Sequence, residues 1–161
     1  MAWGAFYNKE PKNHFGYFSK EDLAVIKESV KRAEAETRGE IRVKIRQSFD
    51  LGITTIEEQA VRDFEQEGLL NTCERTGVLV LLVMDERRFA IRADKGIYEK
   101  LPQFYWDKKA HDLAGHFKKD TPIEGLVAVI SDIGYWLSRS FPRRPDDVNE
   151  LSDEIIVDDG R

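Results

Sequence analysis

Cysteine is nearly missing: Cys73 is the single one in 161 residues. That excludes an intramolecular disulfide and a thiolate cluster for zinc. It leaves Cys73, in the loop-like stretch NTCERTG, as a structural or incidental thiol. No apolar run approaches the ~20 residues of a membrane span. The opening MAWGAFYNKEPKNHFGYFSK has no apolar stretch of the signal-peptide kind. The expectation is therefore a cytoplasmic protein with no membrane anchor. Positive charge is not in excess either. The net charge is −5 and basic residues are spread along the chain, which argues against nucleic acid as a partner.

The common catalytic signatures are missing as well. There is no G-x-x-x-x-G-K-[ST] phosphate loop, G-x-G-x-x-G fingerprint, G-x-S-x-G elbow or H-E-x-x-H helix. The sixth residue after Cys73 is Leu79, where a cysteine phosphatase would need arginine. The acid-rich tail DDVNELSDE lacks the alternation and central glycine of an EF-hand loop.

What remains is a folded-domain pattern. Hydrophobic residues make up 41% and charged residues 34%, enough for one sizeable core. Residues 1–18 form an aromatic arm (Trp3, Phe6, Tyr7, Phe15, Tyr17, Phe18) with no helix or strand period, a docking arm for a protein partner or a cover for its own domain. Ser19 and Asp22 start a helix as a capping box. Leu23, Ile26, Val30 and Ala33 give it one apolar face, and Gly39 ends it.

EIRVKIR alternates Ile41, Val43 and Ile45 with Arg42, Lys44 and Arg46, the mark of a half-buried strand. Thr54 and Glu57 cap the next helix, whose stripe is Ile56, Ala60 and Phe64. GVLVLLVM reads as a strand buried on both faces. DERR is too short for anything but an antiparallel return into the strand at Phe89. Trp106, Ala110, Leu113 and Phe117 mark a further helix. Thr121, Pro122 and Glu124 open the last one.

The order implies an α/β fold, a Rossmann-like α/β/α sandwich with a mixed central sheet. It occupies residues 19–143, and an acidic tail, docked or flexible, follows over 144–161. The first two long strands are joined through a helix, so they run parallel with a right-handed crossover. Glu40, at the start of one strand, and Asp94, at the end of the antiparallel one, then share a sheet rim. They are either a pair of ligands for a hard cation such as Ca²⁺ or Mg²⁺ or two separate acids ~10 Å apart. Lys95 and Gly96 would face a phosphate there, the lysine by charge and the glycine by its backbone N–H; in the plainer alternative, Asp94-Lys95-Gly96 is a turn. Asp107 and His111, four apart on a helix, are a general base with its orienting acid or a surface contact. His111 and His116, five apart, lie on different faces.

Six stretches carry a resemblance: TRGEIRVKI, ERTGVLVLLV, FAIRADKGI, FYWD, HFKKDTPIEGL and FPRRPDDVNELSDE, in that order. With them the chain, from about Ser19 to Glu154, resembles the TPM domain family, which includes thylakoid-lumen proteins of photosystem II repair and bacterial relatives. The resemblance implies the same sandwich, binding of a divalent cation, calcium or magnesium, and weak phosphatase or nucleotide-hydrolysing activity on a phosphoester substrate. It places Glu40 and Asp94 in family motifs, and Asp146, Asp147, Asn149 and Glu150 in the acidic tail motif, so that Asp146 and Asp147 join the metal ligands. Ser152 and Ala93 depart from it, standing where relatives often carry proline and glycine. The alternative is a non-catalytic protein-interaction module.

Overall fold

Ser19 begins the first helix as its side chain dictates. Its Oγ accepts the Asp22 N–H at 3.0 Å, and Asp22 accepts the Ser19 N–H at 2.9 Å, so two otherwise orphaned donors are satisfied reciprocally. The computed structural model describes residues 1–5, 18–146 and 155–158. Helix α1 (Lys20–Ala35) stops before Gly39. Thr37 turns the chain instead: its hydroxyl donates to Phe141 O at 2.6 Å and accepts the Gly39 N–H at 3.0 Å. Helix α2 (Ile56–Gln66) is capped by Thr55, one residue later than expected, through the Glu58 N–H.

The strands are β1 (Ala2–Ala5), β2 (Glu40–Arg46), β3 (Gly77–Val83), β4 (Arg88–Ala93) and β5 (Ile156–Asp158). They form one mixed sheet in the order β1-β4-β3-β2-β5. β2 and β3 are parallel, with Glu40 opposite Gly77, and β4 returns antiparallel to β3. The sequence anticipated these three central strands. It did not anticipate β1, which corrects the reading of an arm without regular structure. Four residues are too few to show a period, and pairing with the open edge of β4 makes them a strand. The apolar group at the tail likewise becomes an edge strand, parallel to β2.

Helices α3 (Lys95–Tyr98), α4 (Gln103–Lys118) and α5 (Pro122–Ser140) complete the chain. The larger core lies between one sheet face and α1, α4 and α5, around Trp106, Phe89, Phe117 and Ile130. A smaller one lies on the other face beneath α2, around Phe64, Leu69, Leu79 and Leu81. The result is the three-layer α/β sandwich. Every residue of β3 is buried, as a strand covered on both faces must be.

Candidate functional site

The register assembles the rim residue by residue. Glu40 pairs with Gly77, and the Asp94 N–H donates to Gly77 O at 2.9 Å. Glu40, Gly77 and Asp94 therefore form one row across three neighbouring strands. Side chains in a row share a sheet face, and here the middle position has none. Glu40 is 3% exposed and Asp94 6%. The two α-carbons are separated by two strand spacings, roughly 10 Å.

Asp94 has defined partners. Its two oxygens accept from Arg75 Nε at 2.6 Å and Nη2 at 2.9 Å, and Oδ1 also accepts the Lys95 N–H at 2.8 Å. It is thus the N-cap of α3 and one half of a bidentate ion pair, the strong form of such a contact. The hydrogen bond and charge of Asp94 raise the Arg75 guanidinium above its ordinary value against a smaller loss from burial.

Gly96 takes up a structural position. Its N–H, expected to face a phosphate, donates to Arg75 O at 3.1 Å. A Cβ there would lie 2.4 Å from Glu74 O and 2.7 Å from Arg75 O. Glycine is what allows α3 to lie directly on the Glu74–Arg75 backbone. Lys95 is exposed.

Asp107 and His111 both border a cavity of about 680 Å³ between α4 and β1, with Trp3 and Arg88. Asp107 Oδ1 accepts from Gln103 Nε2 at 2.8 Å, and no hydrogen bond joins it to His111 among the described residues. His111 and His116, placed on different faces by their spacing, border one open cleft from either side of Gly115.

Asp146 lies in an exposed turn four residues after Pro142, whose bridge to Thr37 brings the tail to the rim's end of the sheet. Asp147, Asn149 and Glu150 lie outside the described residues. Asp158 reaches the opposite end, beside Arg46 at 3.4 Å. Among the described residues no group of three His, Cys, Asp or Glu side chains converges as a cation site.

The charged residues that sequence reasoning missed are those under α2. Lys44 and Arg46 were assigned to a solvent face, yet both are buried and meet Asp63 at 3.1 and 2.8 Å. Lys44 also meets Glu67 at 2.8 Å, and Gln59 bridges Asp50 and Asp63. A signal for this was present. Gln59, Asp63 and Glu67 follow the i, i+4 spacing of the helix stripe that carries Ile56, Ala60 and Phe64, so the polar residues share its inward side.

A family model described as the TPM domain matches residues 12–135. The chain is similar to the BA42 protein of the psychrophilic bacterium Bizionia argentinensis, with 28% identity, a TM-score of 0.78, and coverage of 87% of this chain and 94% of that one. It is similar to the N-terminal domain of a protein from P. gingivalis at 25% identity and a TM-score of 0.63, over 78% and 80% of the two chains. The N-terminal domain of the cg2496 protein from Corynebacterium glutamicum, at 15% identity and a TM-score of 0.55 over 83% and 88%, shares the fold. No curated protein matches the sequence.

Proposed function

The chain belongs to the TPM domain family, and from that premise we propose that it binds a divalent cation, calcium or magnesium, at the Glu40–Asp94 rim. One observation carries this reading: a single register row presents two buried carboxylates to one face, on either side of Gly77, against which Leu69 packs. Hard cations select oxygen donors of this kind. Asp146 and Asp147 of the tail are the further donors.

Arg75 is the competitor. Its guanidinium spans both Asp94 oxygens, so the position already attracts positive charge. Arg75 is 39% exposed at its side chain and has room to swing away, while Asp94 keeps the Lys95 N–H. A bound cation would supply Lewis acidity toward a phosphoryl oxygen. Lys95, exposed beside Asp94, would then orient the phosphate of a phosphoester or nucleotide. Binding comes before hydrolysis in this reading, because Asp107 and His111 are not hydrogen-bonded to each other as a base and its orienting acid would be.

Thermal melts with and without millimolar Ca²⁺ and Mg²⁺ test it. A ligand at a hundredfold excess over Kd adds about 2.7 kcal/mol, which raises Tm by roughly 5–10 °C in a chain of this size. Glu40→Gln and Asp94→Asn are expected to lose the shift, and Arg75→Gln to bring it on at lower cation concentration. No shift in the wild type or in Arg75→Gln would remove the cation and favour an interaction module that docks a partner through residues 1–18.

A further inference from the structure

α4 and α5 enclose an open cleft of about 350 Å³ that plays no part in the rim. We propose that this cleft binds a small oxyanion through Lys119, His111 and His116.

His116 is held in one orientation by groups that forgo other uses. Thr121 stands at the N-cap of α5 but makes no capping bond. Its hydroxyl donates to His116 O at 3.2 Å and lies 3.0 Å from His116 Nδ1. A hydroxyl has one proton, so Nδ1 carries its own hydrogen and donates it to Thr121. In that arrangement Nε2 is left as the second, variable site.

Gly125 completes the arrangement. A Cβ there would lie 2.5 Å from His116 Cβ and 2.8 Å from Cγ. The helix accepts its least favourable residue after proline and the imidazole gains its place.

The charge around the ring decides the ligand. On α4, Lys109 is neutralised by Asp132 at 2.9 Å and lies 3.7 Å from Asp112. His111 and Lys119 line the cleft with no ion pair among the described residues. Asp112, which lines the cleft, Asp120 in the connecting turn and Glu124 on α5 are the acids on that side. Lys119 donates to an anion at any ordinary pH. Neutral His116 offers Nε2 only as an acceptor, whereas its imidazolium donates from it. Binding therefore strengthens as the solution is acidified.

The test is an NMR titration of the full chain in EDTA at constant ionic strength, reading the imidazole resonances of His111 and His116. Inorganic phosphate and acetate are the two probes, at pH 6 and pH 8. The expected result is a saturable shift at pH 6 that is at least tenfold weaker at pH 8. Lys119→Gln should weaken binding about tenfold, and His116→Gln should abolish the pH dependence, with folding confirmed by the amide spectrum. Lys31→Gln, on the exposed face of α1, should change nothing. Saturation by phosphate alone assigns a tetrahedral oxyanion, and saturation by both admits carboxylates. No saturable shift with either probe at pH 6, equal affinity at both pH values, or an unchanged Lys119→Gln overturns the proposal.

Discussion

Along β2, Ile41, Val43 and Ile45 enter the large core beneath α1, α4 and α5, while Arg42, Lys44 and Arg46, one residue out of phase, lie beneath α2. Both sets are covered, but different forces hold them. The apolar side is stabilised in proportion to the area it removes from water and is indifferent to direction. The ionic side is held by discrete pairs, Asp63 bridging Lys44 and Arg46, with Glu67 and Asp50 outside them. Desolvating charges is costly enough that such a cluster adds little net stability. What it resists is error. A one-residue slip of β2 would drive three cations into the apolar core and leave isoleucines against Asp63.

Cutting one member of each set tests that difference. Asp63→Leu removes the shared partner of two buried cations, leaving Lys44 to Glu67 and Arg46 to Asp50 and Asp158, and is expected to cost about 3 kcal/mol. Ile45→Ala on the other face leaves a cavity and is expected to cost about 2–5 kcal/mol. Urea denaturation of both variants compares them directly. The sharper experiment removes the whole cluster. Lys44→Met, Arg46→Leu and Asp63→Leu together are expected to leave stability unchanged or raise it by about 1–4 kcal/mol. The same triple variant should lose hydrogen-exchange protection over Ile156–Asp158, because Arg46 no longer meets Asp158. A triple variant as unstable as Asp63→Leu alone would mean that the ionic face adds net stability after all.

That comparison also explains what could be read in advance. The three central strands followed from local rules: a helical crossover makes β2 and β3 parallel, and DERR is too short for anything but a return. Asp94 and Glu40 fell on one rim for the same reason. The burial of Lys44 and Arg46 did not follow, because alternation distinguishes two faces but does not say whether the second one is wet. β1 and β5 were missed because short edge strands are made by pairing rather than by their own pattern. Arg75 was overlooked as the partner of Asp94 because it sits in a loop at positive φ, 57°, a conformation that residue type does not announce.

The rim offers a smaller effect. Asp94→Ala removes the cap of α3, worth about 1 kcal/mol, and releases Arg75. The expected outcome is a drop in Tm of roughly 2–4 °C with increased amide exchange at Lys95, whose N–H loses its Asp94 Oδ1 acceptor. An effect as large as that of Asp63→Leu would place the rim in the same energetic class as the buried cluster.

The smallest expected effect distinguishes the inner pairs from the outer ones by acid. Burial pushes the Asp50 carboxyl up, but the Gln59 hydrogen bond and the charges of Arg46 and Arg62 outweigh it and hold it below the usual range. The hydrogen bond from Arg38, opposed by partial burial and helped by its charge and that of Arg144, holds Glu74 low as well. For a carboxylate depressed on folding, the unfolded chain binds the proton first. The stabilisation is therefore complete above the unfolded values, 3.8 for Asp50 and 4.5 for Glu74, and is lost as pH falls through the folded ones. Tm should hold steady from pH 7 to 5 and decline below about 4. Salt separates the two contributions, since Arg38 and Glu74 pair at the surface, where ions screen them, whereas Asp50 is tied to the buried cluster through Arg46 and Gln59. In high salt, Glu74→Gln should no longer alter the acid decline, while Asp50→Asn still flattens it. If both variants lose their effect together, Asp50 belongs with the surface pairs, and the buried cluster ends at Asp63.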